Sequence, residues 1–479
     1  MMQQNKKNDK KGRVTLTKFV LFVVPFLLSG ARLSAATLSE NIDRILKHHR
    51  LTTANLSIKV VRLSDGAVLY EKEPDRSVNP ASVVKLITAA SALDILGPDY
   101  RFKTEFYTNR ENGAGILGDL WIKGYGNPLF VTEELERLAQ SIRAKGWKKV
   151  EGDLFVDDSF INHDPPTTYV SDDSERVYQV VTGPLSFNYN TVQVFVRPGR
   201  HQGDPGIVQL KPATRYFTVL NRTQTGGGRE ASISSRLEAG GRRLVIDGKL
   251  RLHSRELSFR QAVNDPALYT GTVIREALEA EGIQFAGTIR RGAVPGTARQ
   301  VFGHSSPPLS ELIRGMWKFS NNFLAEQLFL ALGSHRYGPP GGLRKGRRVA
   351  GDYLASLGVS GDYYLENGSG LSKLSRLSAD QIIAVLRSLY RKPWSGETIS
   401  SLSVGGIDGT LKRRFKGMLK GKVFGKTGSL NHTAALAGYL MVRGEPVAFA
   451  LLFDDFPASP RRVHKAEEQI IEAVYRDVH

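Results

Sequence analysis

Residues 79–96 read NPASVVKLITAASALDIL, and the fold turns on how that stretch is read. From Ala81 to Leu96 apolar residues recur every three or four positions and stop before Gly97-Pro98, the pattern of a buried helix. A helix places residues three apart on one face, so the Lys85 amine reaches back to the Ser82 hydroxyl. The pair then reads as a nucleophile and its base. Lysine accepts a proton only if burial or a second cation lowers its pKa, and Val83, Val84, Leu86 and Lys426 offer both. Alone, Ser-x-x-Lys is a weak signal in a chain with 66 lysines and arginines, where a serine opening a helix and a solvated lysine is the commoner meaning.

Two further motifs change that weighting: Ser320-Asn321-Asn322 and Lys426-Thr427-Gly428 follow in order. Ser320 is placed to relay a proton towards Lys85 and a leaving nitrogen, while the Asn322 carboxamide donates to and accepts from a peptide bond. Without company, Ser320 and Asn321 would read as helix N-caps. Lys426 and Thr427 supply a cation and a hydroxyl, the pair that clamps a terminal carboxylate, and Gly428 lets substrate backbone approach the strand. The N–H groups of Ser82 and Ser429 are candidates for an oxyanion hole.

Working outward, Leu56–Arg62 alternates, Ser64-Asp65-Gly66 turns, and Ala67–Glu71 resumes as a partner strand. From about Phe102 to Val294 the texture becomes short strands broken by glycine, at 115–124, 152–157, 191–196 and 243–252, with a helix over Asp265–Gly282. The glycine runs there read as loops, because no GK[ST] follows them. Helical patterns cover Leu309–Leu332 and Ala379–Tyr390, and strands return at Gly421–Leu430 and Ala434–Phe453.

At 479 residues the chain is too long for one compact layer structure. It has no cysteine, which excludes disulfides, thiolate metal sites, iron–sulfur clusters and a cysteine nucleophile. Its ten histidines form no HExxH or ligand-spaced cluster, so neither a metal nor any other cofactor is expected. Six basic residues from Lys6 to Lys18 precede an apolar run, Phe19–Leu28, and Ser34-Ala35-Ala36 follow. Residues 1–36 therefore read as a signal peptide cleaved after Ala36, because the run falls short of the roughly 20 residues that span a bilayer. The net charge of +19, part of it in this leader, suits a polyanion such as anionic lipid or an acidic wall peptide, and export disfavours nucleic acid. A solvated basic surface without a partner fits the charge as well.

With its three motifs in order and 238 positions between Ser82 and Ser320, the chain resembles the penicillin-recognising serine peptidases. Within them it is similar to the class C low-molecular-mass penicillin-binding proteins, the D-alanyl-D-alanine carboxypeptidase/endopeptidase family. Further similar stretches are NPASVVK (79–85), GDLFVDDS (152–159), DPALY (265–269), NGSGLS (367–372), GGIDGTL (405–411) and GKTGSL (425–430). The resemblance implies an α/β (α+β) transpeptidase-like domain, residues 37–101 and 295–479, with a five-stranded antiparallel sheet flanked by helices. A mostly β insert in two small parts, 102–294, interrupts it. It also implies an exported, periplasmic or extracytoplasmic hydrolase that acts on peptidoglycan stem peptides ending in D-Ala-D-Ala and is acylated by β-lactams. Carried over by motif, the catalytic set is Ser82, Lys85, Ser320, Asn322 and Lys426, with Thr427, Gly428 and Ser429 binding substrate. Asn321 and Asn367 stand where the family has aspartates. An aspartate that some relatives bring towards the catalytic lysine has its nearest counterpart in Asn188. A β-lactamase of the same fold and a catalytically silent wall-binding protein are the competing readings.

Overall fold

The computed structural model describes residues 37–162, 181–226 and 232–479; the proposed leader lies outside them. An antiparallel sheet forms its frame, with the strands in the order Ser403–Val404, Val423–Leu430, Thr433–Val442, Glu445–Asp454, Asn55–Arg62 and Val68–Lys72. These are the five long strands expected, extended at one edge by a two-residue strand. The two ends of the chain close it, with Asn55 opposite Asp454 and Arg62 opposite Val447. The hairpin between the two most buried strands turns on Arg443-Gly444, both at positive φ (51° and 87°), the backbone that a two-residue hairpin needs.

Alternation along these strands sets what each face can hold. Ala435, Ala437, Ala448 and Ala450 share one core with five helices: Lys85–Leu96, Leu309–Phe319, Asn322–Tyr337, Leu343–Ser356 and Ala379–Tyr390. Leu436, Leu440, Phe449, Leu451 and Phe453 point the other way, into a core made with the helices Leu38–His48 and Pro460–Val478. The four alanines let the catalytic helices approach that part of the first face closely, while the large side chains of the second face fill a space that Leu411, Phe415 and Leu419 also line.

Between Phe102 and Ser306 the chain builds four smaller sheets around a core of its own that runs from Phe106 to Ile283. The largest has the strand order Ile289–Arg291, Leu154–Asp157, Leu120–Gly124, Lys103–Thr108, Arg299–Ser305. The helix read over 265–282 is Pro266–Ala280, its start capped by Asp265, which accepts from Leu268 N. A second helix, Thr132–Ala144, joins it.

Two departures from the expected helices matter for the site. The stretch 81–96 is not one α-helix: Ala81–Val84 form a 3₁₀ turn, and the α-helix begins at Lys85. Likewise 309–332 is broken at Ser320, which adopts φ 53°, and Asn321 then caps the second helix by accepting from Leu324 N. Ser and Asn side chains bond to nearby backbone and so favour caps over helix interiors, which overrides the apolar periodicity on either side.

Leu451 is fully buried on the large-residue face. Leu451→Ala is expected to lower unfolding stability by about 2–5 kcal/mol, read as a lowered denaturant midpoint with an unchanged slope. A loss under about 1 kcal/mol would contradict the packing described here.

Candidate active site

Ser82 sits in the 3₁₀ turn, whose three-residue period stacks residues i and i+3 directly. Lys85 Nζ consequently lies 2.9 Å from Ser82 Oγ. The turn is held under strain: Ala81 has φ 44°, a conformation that costs a non-glycine residue about 1–3 kcal/mol. Asn79 secures it, accepting from Ala81 N at 2.8 Å and donating to Ser372 O at 3.0 Å.

The Lys85 side chain is fully buried and has three polar neighbours: Ser82 Oγ, Asn322 Oδ1 at 2.8 Å and Ser369 O at 2.5 Å. Burial lowers its pKa to about 7, against the opposing pull of the buried Glu326 carboxylate. A neutral amine carries two N–H donors and one lone pair. Lys85 Nζ donates to Ser82 Oγ, whose own proton lies towards Ser369 O at 3.3 Å; in the neutral amine the two carbonyl oxygens take both N–H groups and the lone pair becomes free for the Ser82 proton. The geometry thus offers a base within reach of the proton it would take.

Lys426 is also fully buried, donating to Ser320 Oγ at 2.8 Å and Thr427 O at 2.6 Å. Burial first, and Lys85 second, hold its pKa well below the usual lysine range. The expected help from Lys426 in lowering Lys85 is replaced by burial itself. The expected relay from Ser320 towards Lys85 is also redirected, because the left-handed turn at residue 320 places its hydroxyl on Lys426.

Strand Val423–Leu430 pairs along its length with Thr433–Val442, but on its other side only Phe424 and Gly425 meet a strand. From Lys426 onward that edge has no strand partner among the described residues, an arrangement open to an added extended peptide. Thr427 Oγ1 donates to Thr410 Oγ1 at 2.9 Å, and Ser429 is exposed. Gly428 also makes room within the fold itself. A Cβ there would lie 2.7 Å from Pro80 O and 3.0 Å from Ser82 N, so the backbone that needs the room is the serine turn. Strand and turn thereby converge, bringing the Ser82 N–H beside the strand that carries Ser429.

Asn188 does not approach Lys85. Its carboxamide bonds Thr132, accepting from N at 3.1 Å and donating to Oγ1 at 3.0 Å, and so secures the start of helix Thr132–Ala144. The neighbouring Tyr189 ring packs edge-on against Phe323.

Two groups at the site, the Ser369 carbonyl and Glu326, were given no role by sequence. The loop 367–372 wedges between the serine turn and helix Asn322–Tyr337, and Gly370 (φ 76°) is so close that a Cβ would lie 2.0 Å from Ala81 O. This loop delivers Ser369 O to Lys85. Behind it, Glu326 accepts from Gly368 N at 3.2 Å and Ser369 N at 3.1 Å. The signal was present: Glu326 is the one charged residue in the largely apolar run FLAEQLFLAL, and an acid there must be partnered.

A profile of the D-Ala-D-Ala carboxypeptidase 3 (S13) family matches residues 38–475. The D-alanyl-D-alanine carboxypeptidase of Actinomadura sp. (strain R39) is 31% identical over 443 residues, 88% of this chain and 82% of that protein. The D-alanyl-D-alanine carboxypeptidase DacB of Haemophilus influenzae is 26% identical over 84% and 86% of the two chains. The crystal structure of penicillin binding protein 4 (dacB) from H. influenzae superposes with a TM-score of 0.79 at 23% identity, covering 91% of this chain and 99% of that one. That relative has also been crystallised with a β-lactam.

Only the neutral Lys85 amine accepts a proton. Acylation of Ser82 by a neutral ester is therefore expected to rise with pH through about 7 and level off above it, as followed by ester consumption. A rate that is flat across that range, or that falls as pH rises, would contradict the assignment of the base.

Proposed function

Because the chain belongs to the D-Ala-D-Ala carboxypeptidase 3 (S13) family, we propose that it is a serine hydrolase of D-Ala-D-Ala peptides from peptidoglycan, with Ser82 as its nucleophile. The observation that carries this reading is the set of contacts around Lys85, which puts a buried amine 2.9 Å from one hydroxyl and gives it two carbonyl oxygens to take its N–H groups once it is neutral.

Ser82 Oγ attacks the carbonyl of the penultimate D-alanine while its proton passes to Lys85. The N–H groups of Ser82 and Ser429 take the charge that develops on the carbonyl oxygen. When the C–N bond breaks, the departing amine needs a proton, which Lys85 returns, and the terminal D-alanine leaves. Water then cleaves the Ser82 ester with Lys85 again as base, restoring the hydroxyl. The Asn322 oxygen is engaged by Lys85, so its amide N–H₂ is the part available to hold the acyl chain. Lys426 and Thr427 receive the terminal carboxylate. An arriving anion favours the ammonium form of Lys426, and Ser320 completes that contact.

A β-lactam fits the same scheme, because its amide is attacked in the same way while its leaving nitrogen stays tethered in the acyl-enzyme. The β-lactam complex of the H. influenzae relative supports this extension. A β-lactamase reading needs a carboxylate free to activate water beside the ester. Glu326 does not supply one, since both of its oxygens are bound to backbone N–H groups. A silent scaffold would have no use for two fully buried lysines.

The same proposal assigns residues 37–101 and 295–479 to catalysis, except strand Arg299–Ser305, which pairs with Lys103–Thr108 and goes with the inserted region 102–294, and it gives that region the handling of the wall polymer. Residues 1–36 would export the protein, and the basic mature chain suits an anionic wall or membrane surface. Among the described residues no helix is long and apolar enough to cross a membrane.

Ser82→Ala is expected to abolish release of D-alanine from a peptide ending in D-Ala-D-Ala while changing stability by only about 1 kcal/mol. D-alanine release retained by that variant would overturn the assignment. Lys426→Ala is expected to cost a carboxylate-bearing peptide at least tenfold more in kcat/KM than a neutral ester. Equal losses on the two would remove Lys426 from carboxylate binding.

A further inference from the structure

Helix Asn322–Tyr337 presents two polar side chains to the catalytic lysine, one helical turn apart. Asn322 touches Lys85 directly, at 2.8 Å. Glu326, four residues on and 1% exposed, reaches it through the backbone of the loop 367–372. Its two oxygens receive the N–H groups of Gly368 and Ser369, and the carbonyl of Ser369 is the acceptor 2.5 Å from Lys85 Nζ. On the other side of the same segment Thr88 Oγ1 donates to Gly368 O at 2.8 Å. Gly368 is pressed onto the helix, where a Cβ would lie 2.4 Å from the Phe329 side chain and 2.7 Å from Ala325 O. The segment is therefore gripped from the helix side by Glu326 and from the Lys85 helix by Thr88.

Resting on the catalytic reading above, we infer that Glu326 is a positioning residue for the general base: its carboxylate fixes the Gly368–Ser369 backbone so that Ser369 O takes one Lys85 N–H and leaves the lone pair of the neutral amine free for the Ser82 proton. A neutral apolar side chain would leave two buried N–H donors without acceptors, and a glutamine would accept one and oppose its own N–H₂ to the other. The carboxylate satisfies both; burial raises its pKa above the ordinary glutamate value, and the two N–H bonds oppose that rise and favour the charged form. Glu326 also acts on Lys85 through space, favouring its protonated form. Other charges around the Lys85 helix are Asp94 at its far end paired with Lys392, Lys426 on the strand, Lys318 paired with Asp408, and Arg347 paired with Glu366, and none of these contacts involves Glu326.

The test compares three variants by stopped-flow acylation with benzylpenicillin across pH, with thermal melts alongside. Glu326→Gln is expected to slow acylation on the high-pH plateau at least tenfold. It should also move the acidic limb of the profile to lower pH, because the charge that favours protonated Lys85 is gone. Glu326→Asp keeps the charge with a shorter reach, so its plateau falls while its limb stays near that of the parent protein. Thr88→Val loosens the same segment without touching a charge, and it too lowers the plateau without moving the limb; it also reads the proposal if Glu326→Gln does not fold. Glu326→Gln acylating at the parental rate, or slowing only in proportion to its lost thermal stability with an unmoved limb, would overturn the proposal. So would Thr88→Val acylating at the parental rate. Failure of the parent protein itself to acylate would instead overturn the catalytic reading on which the proposal rests.

Discussion

A lysine amine placed out of contact with water, with no carboxylate touching it, is the constraint on which the rest of the site depends. Holding Lys85 at a pKa of about 7 rather than 10.5 means that the fold disfavours its ammonium form by roughly 5 kcal/mol relative to water. That bias is what leaves a large fraction of the amine unprotonated, and so able to accept a proton, near neutral pH. It is tolerated because the neutral amine still finds a partner for each polar element, two carbonyl oxygens and one hydroxyl. Three segments far apart in sequence must converge to supply those partners: the serine turn, the Asn322 helix and the loop 367–372.

The packing explains how that convergence is made rigid. Alanines on one face of the sheet admit the Lys85 helix and its neighbours closely, so the amine is buried under a dense layer. Two interruptions of helical pattern then aim the reactive groups. The 3₁₀ turn at Ala81–Val84 shortens the distance from Ser82 to Lys85, and the left-handed turn at Ser320 swings its hydroxyl onto Lys426. Both interruptions carry backbone in a region that non-glycine residues seldom occupy, as is common where geometry serves chemistry. Gly370 and Gly428 complete the fit, since any side chain at either would collide with the serine turn.

Much of this was legible in advance because the reactive residues lie in short motifs whose spacing is itself physical. Ser82 and Lys85 are three apart, the interval that places them in contact in either helical form. The sheet strands announced themselves through runs of apolar residues, although the turn at Arg443-Gly444 that divides 434–453 into two strands was not read from them. What sequence could not supply were contacts whose partners lie hundreds of residues away. Gly428 also accommodates the approach of Pro80 and Ser82, which no local pattern encodes. The partner of Ser320 is decided by one backbone dihedral rather than by residue type. Asn188 looked like a remnant of a catalytic carboxylate and is instead the anchor of a helix in the inserted region. Glu326 and Ser369 were overlooked for a related reason: one acts through backbone N–H groups, and the other contributes only its carbonyl oxygen to Lys85.

The most direct measurement is a titration of the Lys85 amine itself, by NMR of protein labelled at the lysine side-chain nitrogen and compared with Lys85→Arg to identify the signal. The account predicts a midpoint near 7, with the neutral amine dominant above it. A midpoint near the ordinary lysine value of about 10.4 would show an ammonium at neutral pH, and Lys85 could not then be the base that activates Ser82.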